Sequence, residues 1–172
     1  MSPAGTAGGA SGSGIDTPAV RRVRAALADL GAPHEVVALS ASARTAAEAA
    51  ESLGVPLGAI VKSLVFLAGG EPVMALVAGD RRCVPESLPE VLGMAGPVEK
   101  ADAEAVRAAT GFTIGAVAPV AHATVLPIAI DASLGRFDAV YAAAGHPHCV
   151  FRTSLDELRR MTPGVVSEAI SA

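Results

Sequence analysis

The feature that most constrains this chain is a short apolar run with a single cation inside it, Ile60-Val61-Lys62-Ser63-Leu64-Val65-Phe66-Leu67. The run is bounded by Gly58 and by Gly69-Gly70 and is rich in Val, Leu and Phe. Its length and composition predict a buried strand rather than a helix. A strand alternates its faces, so Lys62 is expected on the side of Ile60, Leu64 and Phe66. An ammonium in that setting must reach water, find an anion or lose its proton. Two readings stand. Lys62 is an edge-strand lysine that blunts aggregation and snorkels to solvent. Alternatively it is a positive charge held at the rim of a pocket for a ligand's anionic group. Lysine is otherwise scarce, with Lys100 the one other in the chain.

A buried strand needs a sheet and a core around it, and the chain is long and apolar enough to supply them. It has 172 residues, 51% of them hydrophobic, which fits one globular domain. Aromatics are 3%, with no Trp and Tyr141 the single Tyr, so a nucleic-acid binder built on stacked aromatic platforms is not expected. The net charge is −4 and the pI about 5.5, so contact with RNA is expected to be local, and DNA is not an expected partner. Cys83 and Cys149 lie far apart without metal-ligand spacing and read as reduced thiols of a cytoplasmic protein, with one disulfide between them as the alternative. The N-terminus lacks a basic segment followed by an apolar core, and no run approaches the ~20 apolar residues of a membrane helix. Residues 1–15 are Gly, Ser and Ala with almost no large side chain, which predicts a disordered tail. Residues 16–172 are then the one domain.

Helix signals flank the central run. Thr17-Pro18 opens a helix carrying Val20, Val23, Leu27 and Leu30 at helical spacing, stopped by Gly31. Its Arg21, Arg22 and Arg24 read as a solvated face. His34 to Leu39 reads as a short strand, with His34 a surface residue. Thr45-Ala46-Ala47-Glu48 is a capping box for a helix ending at Gly54, and its alanines imply close packing on a neighbour. Beyond the central strand, Val73–Ala78 predicts its hairpin partner. Short helices are expected near Ser87–Leu92 and Asp102–Ala109, and strands at Leu126–Ile130 and Ala139–Ala144. A second capping box, Ser154-Leu155-Asp156-Glu157, opens a last helix to Met161. The fold class is α+β: a mixed, curved sheet flanked by short helices.

Two further stretches carry chemistry. Gly111-Phe112-Thr113-Ile114-Gly115-Ala116-Val117-Ala118-Pro119 suits neither a regular helix nor a central strand. It reads either as an ordinary loop or as one whose bare backbone faces a ligand. Gly145-His146-Pro147-His148 follows a strand end, where a histidine between Gly and Pro is a candidate site residue. The two histidines lack a third ligand at metal spacing, so no metal is expected. No Ser-His-Asp or Cys-His pattern is present.

Taken in order, four segments resemble the YbaK/prolyl-tRNA-synthetase-associated editing domain family, and within it the freestanding trans-editing proteins. They are Arg44–Ala50, the Lys62 strand, Thr110–Pro119 with its GxxxP pattern, and Val140–Pro147 with its Gly-His-Pro turn. The likeness spans roughly Thr17 to Ile170. Ser63 stands where many members have Thr, and Ile114 where some carry Arg.

The resemblance implies a barrel-like mixed sheet and hydrolysis of the ester joining a mischarged amino acid to a tRNA's terminal ribose. It implies no cofactor, the tRNA acceptor end as partner, and an aminoacyl-tRNA synthetase as a further one. It also implies catalytic roles for Lys62, Gly115 and His146, with Ser63, Phe112, Ala116, Pro119, Gly145 and Pro147 binding substrate. Small residues (Ala116, Val117, Ala118, Ala142, Ala144) suggest a small pocket, hence a small amino acid such as alanine, or cysteine, on tRNA-Pro or another tRNA. Two other readings stand beside this one: a non-catalytic module of the same fold that binds a small amino acid or nucleotide, and an interaction protein using the fold as a scaffold.

Overall fold

The computed structural model describes residues 15–32, 35–40 and 43–172. Of the expected tail, residues 1–15, residues 1–14 lie outside the described residues, as does His34, whereas Ile15 packs against the main core. Five helices and eight strands are described: α1 (Pro18–Asp29), β1 (Val36–Ala38), α2 (Ala46–Leu53), β2 (Val61–Ala68), β3 (Glu71–Ala78), α3 (Leu88–Leu92), β4 (Val98–Lys100), α4 (Ala103–Thr110), β5 (Ile128–Asp131), β6 (Val140–His146), β7 (Cys149–Thr153), α5 (Leu155–Met161) and β8 (Val165–Ser167).

The class is α+β with mixed pairing, as expected, but the strands form two sheets rather than one barrel-like surface. One has the order β1-β7-β6 and is antiparallel. The other runs β4-β2-β3-β5-β8, with β2 antiparallel to β3 and β4, and β3-β5 and β5-β8 parallel. A parallel bridge between Ile60 and Tyr141 joins the two. The short strands β4, β7 and β8 were not anticipated. β4 and β8 have three residues each, β4 broken by charge (Val98-Glu99-Lys100), too few to display a period of two, and β7 is buried at four of its five positions and so does not alternate.

Alternation along β2 and β3 divides the core. Val61, Val65, Met74, Leu76 and Ala78 enter the large core with α1 and the 111–120 loop. Phe66, Ala68, Val73, Ala75 and Val77 enter a smaller one with Leu88 and Ile170. Leu64 packs on that second cluster too, so Lys62 belongs to the face expected for it, at the end where the small core gives out.

α1 forms as its sequence predicts. Thr17 Oγ1 accepts from Val20 N at 3.2 Å, Pro18 occupies the first turn, and Val20, Val23 and Leu27 are buried. Its basic face is not uniformly solvated. Arg21 and Arg24 reach Asp16 in exposed pairs of little energetic weight. Arg22 instead lies over the Phe112 ring at 4.4 Å and donates to the carbonyls of Ala121 and Gly111, each at 3.2 Å. It braces both ends of the Gly/Pro loop, including Ala121, whose φ is +65°. In α2 both halves of the capping box form between Thr45 and Glu48, and Gly54 ends the helix in the left-handed region.

Candidate functional site

β4 pairs only with Phe66–Ala68, so the Val61–Leu64 half of β2 lies outside that ladder. On this side a cavity of about 320 Å³ opens. Its walls come from Ile60 and the start of β2 (Val61 to Leu64), α2 and the residues entering it (Ala43 to Ala46, Ala49), the loop (Ile114, Gly115, Val117) and the small sheet with its turn (Tyr141, Ala143, Pro147, Val150). A smaller space of about 110 Å³ adjoins it, sharing Ser63, Leu64, Ile114, Gly115 and Val117 and ending at Phe66, Lys100 and Val106. The larger volume lies at the low end of the roughly 300–1,000 Å³ typical of small-ligand sites.

Lys62 lines the cavity half-buried, and its Nζ donates to the Arg81 carbonyl at 2.6 Å. That carbonyl is held in place by the end of the chain. Arg81 Nε donates to Ser171 Oγ at 2.8 Å, and Arg82 and Ala172 exchange backbone bonds at 2.9 Å. Neither sequence reading of Lys62 is complete, because the ammonium is tethered to the protein itself while its side chain walls a pocket. An ammonium has three N–H donors, and one is spent on this tether.

Ser63 points to the opposite face of β2, and its Oγ is buried without a hydrogen-bond partner. Leaving a hydroxyl so costs about 1–3 kcal/mol, and native proteins do so rarely. Gly115 adopts φ +91°, and a Cβ built there would meet nothing within 4 Å. The glycine is therefore required by its backbone conformation and not by a close neighbour. Ala116 N is committed to Thr113 O at 2.9 Å, closing the turn, so it is not a donor to a ligand.

The remaining sequence candidates fall elsewhere. Phe112 is 2% exposed beneath Arg22, and Ala116 and Pro119 are buried in the loop's interior. Gly145, at φ +94° in the β6 bulge, lies where a Cβ would stand 2.9 Å from Ala19 O, so it permits α1 to dock. His146 does not line the cavity, although Pro147 does. Its Nδ1 accepts from His148 N at 3.0 Å, so that nitrogen is occupied by the turn itself. The pair fixes the turn that carries Pro147. Of the small residues named from sequence, Val117 lines the cavity, whereas Ala118, Ala142 and Ala144 face the large core. On β6 the cavity side is Tyr141 and Ala143, one residue out of phase with the expectation.

Sequence reasoning missed Arg44, Ala46, Ala49 and Tyr141. The alanines of α2 were legible as close packing, and in the fold two of them border the space the helix encloses. Among the described residues, Arg44 and Lys62 are the charged side chains lining the cavity, and no acid does.

Among the described residues, neither cysteine is poised as a nucleophile. Burial pushes the Cys83 thiol up to about 11, with Lys62 pulling the other way, so it is protonated at neutral pH. Burial likewise raises Cys149. Burial lowers His122, whose Nε2 lies 2.7 Å from Ala118 O inside the loop, so the ring is neutral there. Among the described residues, no group of three or more His, Cys, Asp or Glu is arranged to hold a metal, and no helix is long and apolar enough to cross a membrane.

This architecture matches known proteins. The model of the aminoacyl-tRNA editing domain matches residues 40–161. A solved structure of a candidate trans-editing enzyme for prolyl tRNA synthetase is 41% identical and superposes with a TM-score of 0.83, covering 90% of this chain and 98% of that one. The uncharacterized protein YwhH of Bacillus subtilis is 31% identical over 144 residues, 81% of this chain and 88% of YwhH. The proline--tRNA ligase of Nitratidesulfovibrio vulgaris (strain Hildenborough) is 42% identical over 104 residues, 60% of this chain but 17% of the ligase. The chain thus corresponds to a small part of that ligase's length.

Proposed function

This chain belongs to the aminoacyl-tRNA editing domain family, and from that premise we propose that it is a trans-editing hydrolase that removes a small amino acid from mischarged tRNA. The observation that carries the reading is the meeting of Lys62, Ser63 and Gly115, distant in sequence, at one cavity lined by cations and no acid. The substrate is anionic along its backbone and presents an ester at its end.

An aminoacyl ester is already activated, so positioning and electrostatics suffice without a protein nucleophile. Water adds to the ester carbonyl, the bond to the ribose oxygen breaks, and the water's proton ends on that oxygen. Free amino acid and deacylated tRNA leave. Lys62 keeps two N–H donors beyond its tether to Arg81, and these hold the ribose side of the ester. The Ser63 hydroxyl, on the other face of β2 from Lys62 and on the Gly115 side, donates to the acyl group across the strand edge that β4 leaves unpaired, which relieves its buried, unpartnered state. Gly115 brings backbone beside the carbonyl with no side chain in the way. His146 positions Pro147 and is not the general base, because the nitrogen that would accept a proton is occupied by His148 N–H.

Ala46, Ala49 and Ala143 keep the wall small, which favours a small acyl side chain such as that of alanine, with cysteine next. Discrimination by size alone is worth about 1–3 kcal/mol per methylene. Deacylation of a panel of mischarged tRNAs, with wild type and Lys62→Ala in parallel, tests the reading. Release of one small amino acid, lost in the variant, is expected. Binding of a small amino acid without turnover of any aminoacyl-tRNA would replace the hydrolase with a binding module.

A further inference from the structure

We propose that Arg44, at the mouth of the cavity, binds the phosphate that joins the terminal nucleotide to the rest of the tRNA, and that Lys62 does not. The proposal rests on the editing reading above and assigns the anionic end of that substrate.

The ammonium of Lys62 is drawn to Arg81 O at 2.6 Å, half-buried in the wall, so its remaining donors serve the ester within. Arg44 lines the same cavity from the segment that enters α2, and it is exposed. The one carboxylate close to it in sequence is already committed. Glu48 Oε1 accepts from Arg44 N at 2.9 Å, from Thr45 N at 3.0 Å and from the Thr45 hydroxyl at 3.3 Å, capping α2. Because Glu48 fills the N-terminus of α2, the helix end itself is closed to an anion; the Arg44 guanidinium feels the Glu48 charge but stays exposed at the cavity, where it can take a further anion. Its planar fork of five N–H donors matches phosphate oxygens better than a point charge does. Ile114, 61% exposed, lines the same cavity from the loop and offers an apolar surface to the terminal nucleoside. In a protein of net charge −4, this wall carries Arg44 and Lys62 and, among the described residues, no acid, so its mouth attracts an anionic ligand.

The test is a chemical double-mutant cycle on the mischarged tRNA that the wild type hydrolyses, made with either the natural phosphodiester or a neutral methylphosphonate between its last two nucleotides. Arg44→Ala keeps the backbone N–H that Glu48 uses, so it is expected to melt with the wild type. On the natural substrate it should raise KM about tenfold with kcat changed less than twofold, and Arg44→Lys should recover part of the loss. The wild type should lose a similar factor on the methylphosphonate, and variant and neutral linkage together should cost no more than either alone. Multiplying losses, or an Arg44→Ala variant with unchanged KM, would overturn the assignment while leaving the hydrolase standing. Failure of the wild type to hydrolyse any aminoacyl-tRNA would overturn the editing reading, and this assignment with it.

Discussion

Lys62→Met separates a structural lysine from a working one. Methionine keeps an unbranched apolar stem against the wall and removes only the ammonium. The bond lost is the one from Nζ to Arg81 O at 2.6 Å. Hydrogen bonds from charged groups contribute about 1.5–3 kcal/mol, and the half-exposed position argues for the low end, about 1.5 kcal/mol. For a domain of this size that lowers the melting midpoint by roughly 3–6 °C. If the domain starts near 5 kcal/mol, the low end of the usual range, about 3.5 kcal/mol remains and only about 0.3% of molecules are unfolded at 25 °C. Unfolding therefore cannot lower activity measurably. Loss of one donor from a preorganised site costs about 10²–10³ in kcat. Calorimetry and deacylation rates on the same preparation read both quantities. A variant that melts a few degrees early but turns over within threefold of wild type would refute the catalytic reasoning and leave Lys62 as a tether for the turn after β3.

Two other expectations follow from single atoms. Ser63→Ala removes a buried hydroxyl that has no partner, so the protein should melt no earlier than wild type while deacylation falls about tenfold; an equal rate would take Ser63 out of the site. The Arg136 hydrogen bonds at 2.8 and 2.9 Å hold the Asp80 carboxyl below the ordinary carboxylate range. Its folded state therefore favours the ionised form. The stabilisation is complete above about pH 4 and is lost as pH falls through the lowered folded value. Both side chains are over a third exposed, so it amounts to less than about 1 kcal/mol. Arg136→Ala should lose less stability than wild type between pH 7 and pH 3 in urea titrations, and parallel curves would discount the pair.

The parts of the fold legible in the sequence were those governed by local chemistry. Thr17-Pro18, the Thr45 capping box and Ser154 all cap helices where their residue types require it. The β2-β3 hairpin follows from two apolar runs around Gly69-Gly70. What stayed hidden depends on pairing at long range. Nothing in Val98-Glu99-Lys100 announces that it will pair with three residues of β2 and then stop, and that stop is what opens the cavity. The phase of β6 was equally hidden, since Ala142, Ala143 and Ala144 are identical side chains and give no sign of which one faces inward. The Gly-His-Pro turn was legible as special, but its glycine answers to α1 at Ala19, a contact set by tertiary packing. Arg44 was in view only as part of a helix signal, because a charged residue before a capping box usually faces water.

The cavity lies along the seam between the two sheets, which the Ile60–Tyr141 bridge joins at one rung. A tenant in that space touches β2 on one side, β6 and β7 on the other, and the Arg22-braced loop above. It becomes a further fastening for a joint secured, among the described residues, by one backbone bridge and by the core the two sheets share. Any ligand seated there would hold the two sheets to each other through its own contacts, so its affinity and the cohesion of the seam would be measured together.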